Sequence, residues 1–244
     1  MGEGVTGFRD AHRRILGRLS WSGPNVICNT KRGADGSRIV GGMIDALKRS
    51  LPPFVSAAVR NPKTVGAAAP SSRALAARMA SAVPAVEAPT IVEIGAGTGA
   101  FTRLLQERVP ADGRYLAVEL DERMADHLER TFPNVEVVHG DAAELGTLLA
   151  DRGVTSVDAM LCGLPWSLFP SELQWKLLGE ITSPLAPHGV FSTFAYVHAA
   201  RIPGSKRFRA AVEATFEDVE VQSPVWRNLP PAMTYVCRGA RRDG

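Results

Sequence analysis

The sequence predicts an α/β protein: a sheet of seven strands, mostly parallel with an antiparallel last strand, helices on both faces, and further helices on the N-terminal side. Three observations carry this. From about residue 86, short β-branched runs alternate with stretches of helical period. A glycine-rich turn, GAGTGA, joins the first of those runs to the helix after it. The last two β-branched runs have no helix between them. Alternating strands and helices make parallel neighbours, because parallel strands need crossover connections, and the crossovers cover both faces. A direct connection makes the final pair antiparallel.

Taken in order, residues 1–38 hold Gly-rich polar stretches such as NTKRGADGSR, show no sustained period and are expected to be a poorly ordered basic extension. Residues 39–85 read as an amphipathic, basic helical segment. Val40, Met43, Ile44, Leu47 and Leu51 recur at helical spacing, with Asp45, Lys48 and Arg49 on the other face, until Pro52 and Pro53 stop the helix. A short piece over 54–60 ends at Pro62, and Pro70, Ser71 and Ser72 make the capped start of a helix carrying Leu75 and Met79. The rest, 86–244, is the sheet domain. Strands are expected over 91–94, 115–119, 135–139, 157–161 and 190–196, and helices over 100–108, 122–131, 142–150 and 171–181. A helix over 206–215 then precedes the strand pair 219–223 and 233–237.

Composition narrows the function classes. The 244 residues are 45% apolar and 22% charged, which excludes a disordered tail or a coiled coil. The net charge of +3 is unevenly spread: residues 1–73 carry 12 basic and four acidic side chains, a net +8, and the remainder carries −5. Such asymmetry points to an anionic partner or to a merely solubilising arm. Cys28, Cys162 and Cys237 are isolated, without zinc or disulfide spacing, which argues for a reducing compartment and no metal. No run reaches the ~18 apolar residues of a membrane span and the start lacks a secretory apolar stretch. The expected location is cytoplasmic, or else peripheral on the cytoplasmic face of a membrane.

The strongest local signal is IVEIGAGTGAF, a strand running through glycines into a helix. Gly95 permits a tight turn, Gly97 lets a ligand approach the backbone and Gly99 opens the helix. By itself the run also satisfies a relaxed GxGxxA dinucleotide pattern. Its surroundings discriminate. Glu93 lies in the strand, Glu119 ends the second strand in LAVELD, and Asp141 ends the third in VVHGDAAEL. Acids at the carboxyl ends of adjacent parallel strands face the edge where open sheets bind ligands. Glu119 suits two ribose hydroxyls and Asp141 an adenine amine, with the Ala142 amide toward a ring nitrogen. Nothing there pairs a pyrophosphate, so the ligand wanted is an adenosine with a zwitterionic tail. Read residue by residue, Glu119 and Asp141 are also helix N-caps and the glycines an ordinary turn.

In this order the residues resemble the class I S-adenosylmethionine-dependent methyltransferases over roughly 65–238. The resemblance implies a Rossmann-like fold whose reversed strand lies between its neighbours, and S-adenosyl-L-methionine as cofactor. It assigns cofactor contacts to Gly66, Ser71, Glu93, Gly95, Ala96, Gly97, Thr98, Gly99, Glu119, Leu120, Asp141, Ala142, Cys162 and Gly163.

The fourth strand ends in MLCGLPWSLFP, where family members that methylate base amines carry N-L-P-Y or D-P-P-Y. Gly163 replaces the Asn or Asp, which argues against nucleic-acid adenine. Carbonyls of Cys162 and Gly163 remain as acceptors for an amine, and Trp166 is either a cation–π platform for a methylated ammonium or a core aromatic. KTVGAAAPSSRALAARMA, the FAY of residues 194–196 and VWRNLPPAMTYV in the closing hairpin are similar to the bacterial phospholipid N-methyltransferases, which convert phosphatidylethanolamine stepwise. That resemblance implies an amine-bearing lipid as acceptor, an anionic membrane surface met through residues 40–60, catalytic roles for Trp166 and Tyr196, and substrate contacts from Arg227 and Tyr235. Tyr196 as a strand-end core aromatic and Arg227 as a surface residue are the competing readings. His139 is read as a core or rim residue, and His198 is not taken as a base. Other readings of the whole chain are a soluble small-molecule methyltransferase on the same core, a non-enzymatic cofactor binder, and an rRNA adenine N-methyltransferase.

Overall fold

The structure, a computed structural model, describes residues 71–241. The expected helix over 40–51, the piece over 54–60, the extension 1–38 and Gly66 lie outside the described residues.

Seven strands, β1 (Thr90–Ile94), β2 (Arg114–Glu119), β3 (Glu136–His139), β4 (Val157–Cys162), β5 (Leu185–Tyr196), β6 (Phe216–Val221) and β7 (Ala232–Ala240), form one sheet in the order β3-β2-β1-β4-β5-β7-β6. β1 pairs in parallel with β2 and β4, β2 with β3, and β4 with β5, while β7 runs antiparallel to both β5 and β6. The reversed strand therefore lies between two neighbours, as expected. The chain order changes direction at β1, and the crevice at the carboxyl ends of β1 and β4 is where such a sheet holds a ligand.

Helices α1 (Arg73–Ala80), α2 (Thr102–Leu105) and α3 (Glu122–Thr131) cover one face, and α4 (Leu145–Ala150), α5 (Ser171–Thr182) and α6 (Pro203–Thr215) the other. Alternation along β1 divides the core: Ile91 packs with Leu75, Leu105 and Leu128, whereas Val92 and Ile94 pack with Leu145, Leu177 and Phe191. The helix starts follow their sequence signals. Ser72 accepts from the Leu75 amide at 3.2 Å and caps α1. Asp121 accepts from the Arg123 and Met124 amides and caps α3. Pro203 opens α6, where its missing N–H costs nothing.

Several boundaries differ from expectation; β5, for one, begins at Leu185, five residues before the expected 190, because Leu185 already pairs with Val157 ahead of a register shift. The helix expected over 100–108 is a single α turn followed by a 3₁₀ turn, Gln106–Arg108. Residues 142–150 likewise begin as a 3₁₀ turn before α4. β6 starts directly after α6, three residues before the expected position, because Phe216 is already buried in the sheet.

Candidate functional site

The cleft lies at the carboxyl ends of β1, β2, β3 and β4. Its polar rim comes from Gly95, Glu119, Gly140 and Asp141, and its apolar floor from Leu120, Leu164, Phe169, Leu173 and Leu177. Leu173 and Leu177 stand one helical turn apart on α5. The sequence reading did not select them or Phe169, although their i, i+4 spacing after Pro170 was a usable signal.

Glu119 connects two turns. Its Oε2 accepts from the Gly97 amide at 2.8 Å and its Oε1 from the Asp121 amide at 3.0 Å. The carboxylate is buried, and each oxygen retains a lone pair toward the cleft. Gly97 has φ +55° and nothing within 4 Å of where a Cβ would stand. The glycine turn is thus left-handed and open there, a cradle that any side chain would begin to fill. Gly99 is also left-handed, at +79°, for a different reason: a Cβ would lie 2.2 Å from the Phe132 ring.

Asp141 caps the turn after β3, its Oδ1 accepting from the Ala143 amide at 2.9 Å. Its other oxygen accepts no hydrogen bond from a described residue. The capping and ligand-binding readings of Asp141 are therefore compatible. His139 is at the rim, its Nε2 3.2 Å from the Leu120 carbonyl oxygen.

Glu93 sits behind the glycine turn, fully enclosed. Its Oε2 accepts from the Thr102 hydroxyl at 2.7 Å and from the Tyr115 hydroxyl, while its Oε1 has no partner among the described residues. Loss of water pushes its carboxyl up to about 7, although hydrogen bonds from Tyr115 and Thr102 oppose the rise. Because this value is raised in the folded state, the stabilisation is fully present below the ordinary 4.5 and is lost as pH climbs through about 7. Glu93→Gln keeps an oxygen for both hydroxyls and removes the charge. We expect the cofactor-free variant to be more stable than the parent at pH 8 by on the order of 2 kcal/mol, with the difference vanishing near pH 4.5. Urea midpoints at the two pH values measure this.

The remaining sequence-predicted residues divide. Gly95, Leu120, Asp141 and Ala142 line the cleft with Glu119, and Thr98 is exposed in the glycine turn. Ala96 is buried on the α1 face. The Gly163 amide donates to the Ile94 carbonyl, holding the ends of β4 and β1 together. Ser71 is half-buried beside Ser72, whose N–H donates to Asn228 Oδ1.

Two expectations, for Trp166 and Tyr235, are corrected. Trp166 is a core residue: its indole N–H donates to Thr193 Oγ1 at 3.0 Å and its ring stacks on Phe208, with centroids 4.4 Å apart. No ring face is left for an ammonium. The Cys162 carbonyl accepts from the Thr193 hydroxyl at 2.9 Å and keeps its second lone pair, and burial pushes the thiol up to about 12. Tyr235 is buried against Phe208 on α6, not presented to a headgroup. Tyr196 by contrast stays half-buried at the end of β5, stacked on His198 and edge-on to Phe194, which in turn meets Phe101 beside the glycine turn. Burial pushes its phenol up. Arg227 is exposed in the β6–β7 connection and makes no ion pair with a described residue.

Comparison with known proteins shows the family. Residues 91–189 match the family described as a methyltransferase domain. The ornithine lipid N-methyltransferase of Singulisphaera acidiphila is 34% identical over 193 residues, which span 78% of this chain and 96% of that protein. The chain belongs to the class I S-adenosylmethionine-dependent methyltransferases. Ribosomal RNA small subunit methyltransferase A of Geobacter metallireducens is 39% identical over 100 residues, only 39% of this methyltransferase and 35% of its own length. The Thermotoga maritima S-adenosylmethionine-dependent O-methyltransferase shares the fold, with a TM-score of 0.54 at 18% identity over 70% of this chain and 67% of that one.

S-adenosylmethionine is the cofactor of this methyltransferase. The cleft fits it on two counts: open space over Gly97 in the glycine turn, and an apolar lining that includes Leu120 and Leu164 beside the Glu119 and Asp141 carboxylates. Among the described residues, no helix is long and apolar enough to cross a membrane.

Proposed function

We propose that the enzyme transfers a methyl group to the amine of a membrane lipid headgroup. The observation that carries this reading is the end-to-end similarity to a lipid N-methyltransferase, 96% of whose length is matched. The sequence resemblance favours an ethanolamine phospholipid, and the relative's name an ornithine lipid. Both present an amine beside a lipid anchor. The ribosomal RNA relatives match over shorter stretches, and Gly163 stands where a base amine would need an Asn or Asp side chain.

In this reading Glu119 holds the ribose hydroxyls, the free oxygen of Asp141 accepts from the adenine amine, Leu120 and Leu164 sandwich the ring, and Glu93 answers the positive charge of the methionine tail. The bound cofactor supplies an electrophilic methyl on a sulfonium. The protein aligns a lone pair with it and excludes water. A free amine with the ordinary value of ~10.4 is almost wholly protonated at neutral pH, so the acceptor must shed a proton before transfer. Tyr196, half-buried at the end of β5, is the candidate to orient the headgroup, and Arg227 to meet its phosphate or carboxylate.

The test is transfer of radiolabelled methyl from S-adenosylmethionine into a lipid extract beside a soluble-metabolite extract, with Asp141→Ala as control. Label is expected in the lipid extract, and at least about tenfold less with the variant. Label confined to soluble metabolites would support the small-molecule reading instead.

A further inference from the structure

The connection between β6 and β7 carries two large apolar side chains that no described residue covers: Trp226 is 73% exposed and Leu229 72%. Between them Asn228 is buried and fully engaged. Its Oδ1 accepts from the Ser72 amide at 2.8 Å, its Nδ2 donates to the Pro230 carbonyl at 2.7 Å, and its own N–H donates to the Val225 carbonyl. Val225, also buried, bridges to Ala232 at the base. The loop is pinned from inside, so Trp226 and Leu229 are held outward and do not fold back onto the sheet.

The position of the loop matters. β7 begins with Ala232 paired to Tyr196, the last residue of β5, so the loop projects from the same carboxyl edge as the cleft. The Val197 amide donates to the Pro231 carbonyl at 2.9 Å, which lays the turn after β5 alongside it. That turn ends in exposed Arg201 and Ile202, the latter 39% exposed, and leads into α6.

The two segments are one-sided in charge. Residues 197–212 and 222–237 hold Arg201, Lys206, Arg207, Arg209 and Arg227 and not one carboxylate. Arg209 pairs with Glu213 within α6, whereas the other four make no ion pair with a described residue. Exposed apolar tips set among unopposed cations are what an anionic lipid surface selects: aromatic and aliphatic side chains enter the headgroup boundary while Lys and Arg meet phosphates.

We propose that the 225–230 loop and the adjoining 201–202 turn dock the enzyme on an anionic bilayer, with Trp226, Leu229 and Ile202 inserted at the interface. Docking this edge presents the cleft to headgroups without extracting the lipid. The inference extends the lipid-acceptor reading, but it is tested separately.

Full-length protein is sedimented with vesicles of phosphatidylglycerol and phosphatidylcholine, neither of which offers an unmethylated amine. Trp226→Ala/Leu229→Ala is expected to bind at least about tenfold more weakly, and Trp226→Phe to abolish a blue shift of tryptophan emission on vesicle addition. S-adenosylmethionine affinity and methyl transfer to detergent-dispersed amine lipid stay at the parental level, showing an intact fold and site. Equal vesicle binding by parent and double variant, or none by the parent, overturns the docking proposal. So does a variant whose only change is in oligomeric state, or one whose vesicle binding is restored by truncating residues 40–60, since the loop would then serve a second copy or cover that segment. Failure of the lipid-acceptor reading looks different: the parent transfers no methyl in detergent, whatever it does with vesicles.

Discussion

Replacing Glu119 by alanine is expected to lower S-adenosylmethionine affinity at least about 100-fold, the largest loss of any single side chain in the cleft. The reason is that Glu119 acts twice. Its two oxygens anchor the Gly97 and Asp121 amides, so removing them releases the glycine turn as well as the carboxylate proposed to hold the ribose. Hydrogen bonds to a charged group contribute roughly 1.5–3 kcal/mol each, against 0.5–1.5 for neutral ones. Asp141→Ala removes one such ligand contact and a cap at the surface, hence its smaller expected effect. Glu119→Gln should fall between them: its single oxygen can serve one amide, and its NH₂ then opposes the other donor. Isothermal titration of the three variants gives the order directly, and an alanine variant at parental affinity would show that the ribose is held elsewhere.

Gly99→Ala is expected to destabilise the fold by about 3 kcal/mol, roughly 6–12 °C in melting temperature for a domain of this size. Two costs combine: a left-handed backbone at +79° that alanine resists, and a Cβ 2.2 Å from the Phe132 ring, which is itself fully packed. Gly97→Ala separates conformation from crowding. Its φ is also positive, but no atom lies within 4 Å of the new Cβ, so it should cost only about 1 kcal/mol in stability. Its effect on cofactor binding should be the larger one, since the added methyl begins to fill the cradle. Thermal melts with and without S-adenosylmethionine distinguish the two glycines.

Much of this was legible in the sequence because it is local. Strands of Val and Ile alternate with helical stretches, and Glu119 and Asp141 come at the ends of β2 and β3, which the parallel sheet converts into one edge. Side-chain direction at the far strands was not legible. Trp166, Thr193 and Tyr235 fall together because β5 pairs Thr193 with Tyr235, which turns both toward α6, while the period of two sends Phe194 and Tyr196 to the opposite face. A single residue of register decides whether Tyr196 or Tyr235 meets the edge beside the cleft, and no local pattern fixes that register. Asn228 shows the same limit. Its turn is visible in N-L-P-P, but its bond to Ser72 spans 156 residues, and it is this bond that leaves the flanking Trp226 and Leu229 outside.

Burial also explains why Cys162 and Trp166 looked like site residues. The end of β4 does reach the cleft, through Leu164, but the chain turns there, and Gln174 draws it onto α6. Its amide donates to the Trp166 carbonyl at 2.7 Å and to the Gly204 carbonyl at 3.1 Å. Trp166 therefore points into the core, while Phe169 three residues on still lines the cleft.

The most direct measurement of the central claim is methyl transfer by the full-length enzyme to defined lipids in detergent micelles, read by mass spectrometry: phosphatidylethanolamine, ornithine lipid, and phosphatidylglycerol as a lipid without an amine. A mass gain of one methylene per transfer on an amine-headed lipid, with phosphatidylglycerol untouched, is the predicted result. Cofactor binding at full affinity with no transfer to either amine-headed lipid would contradict it.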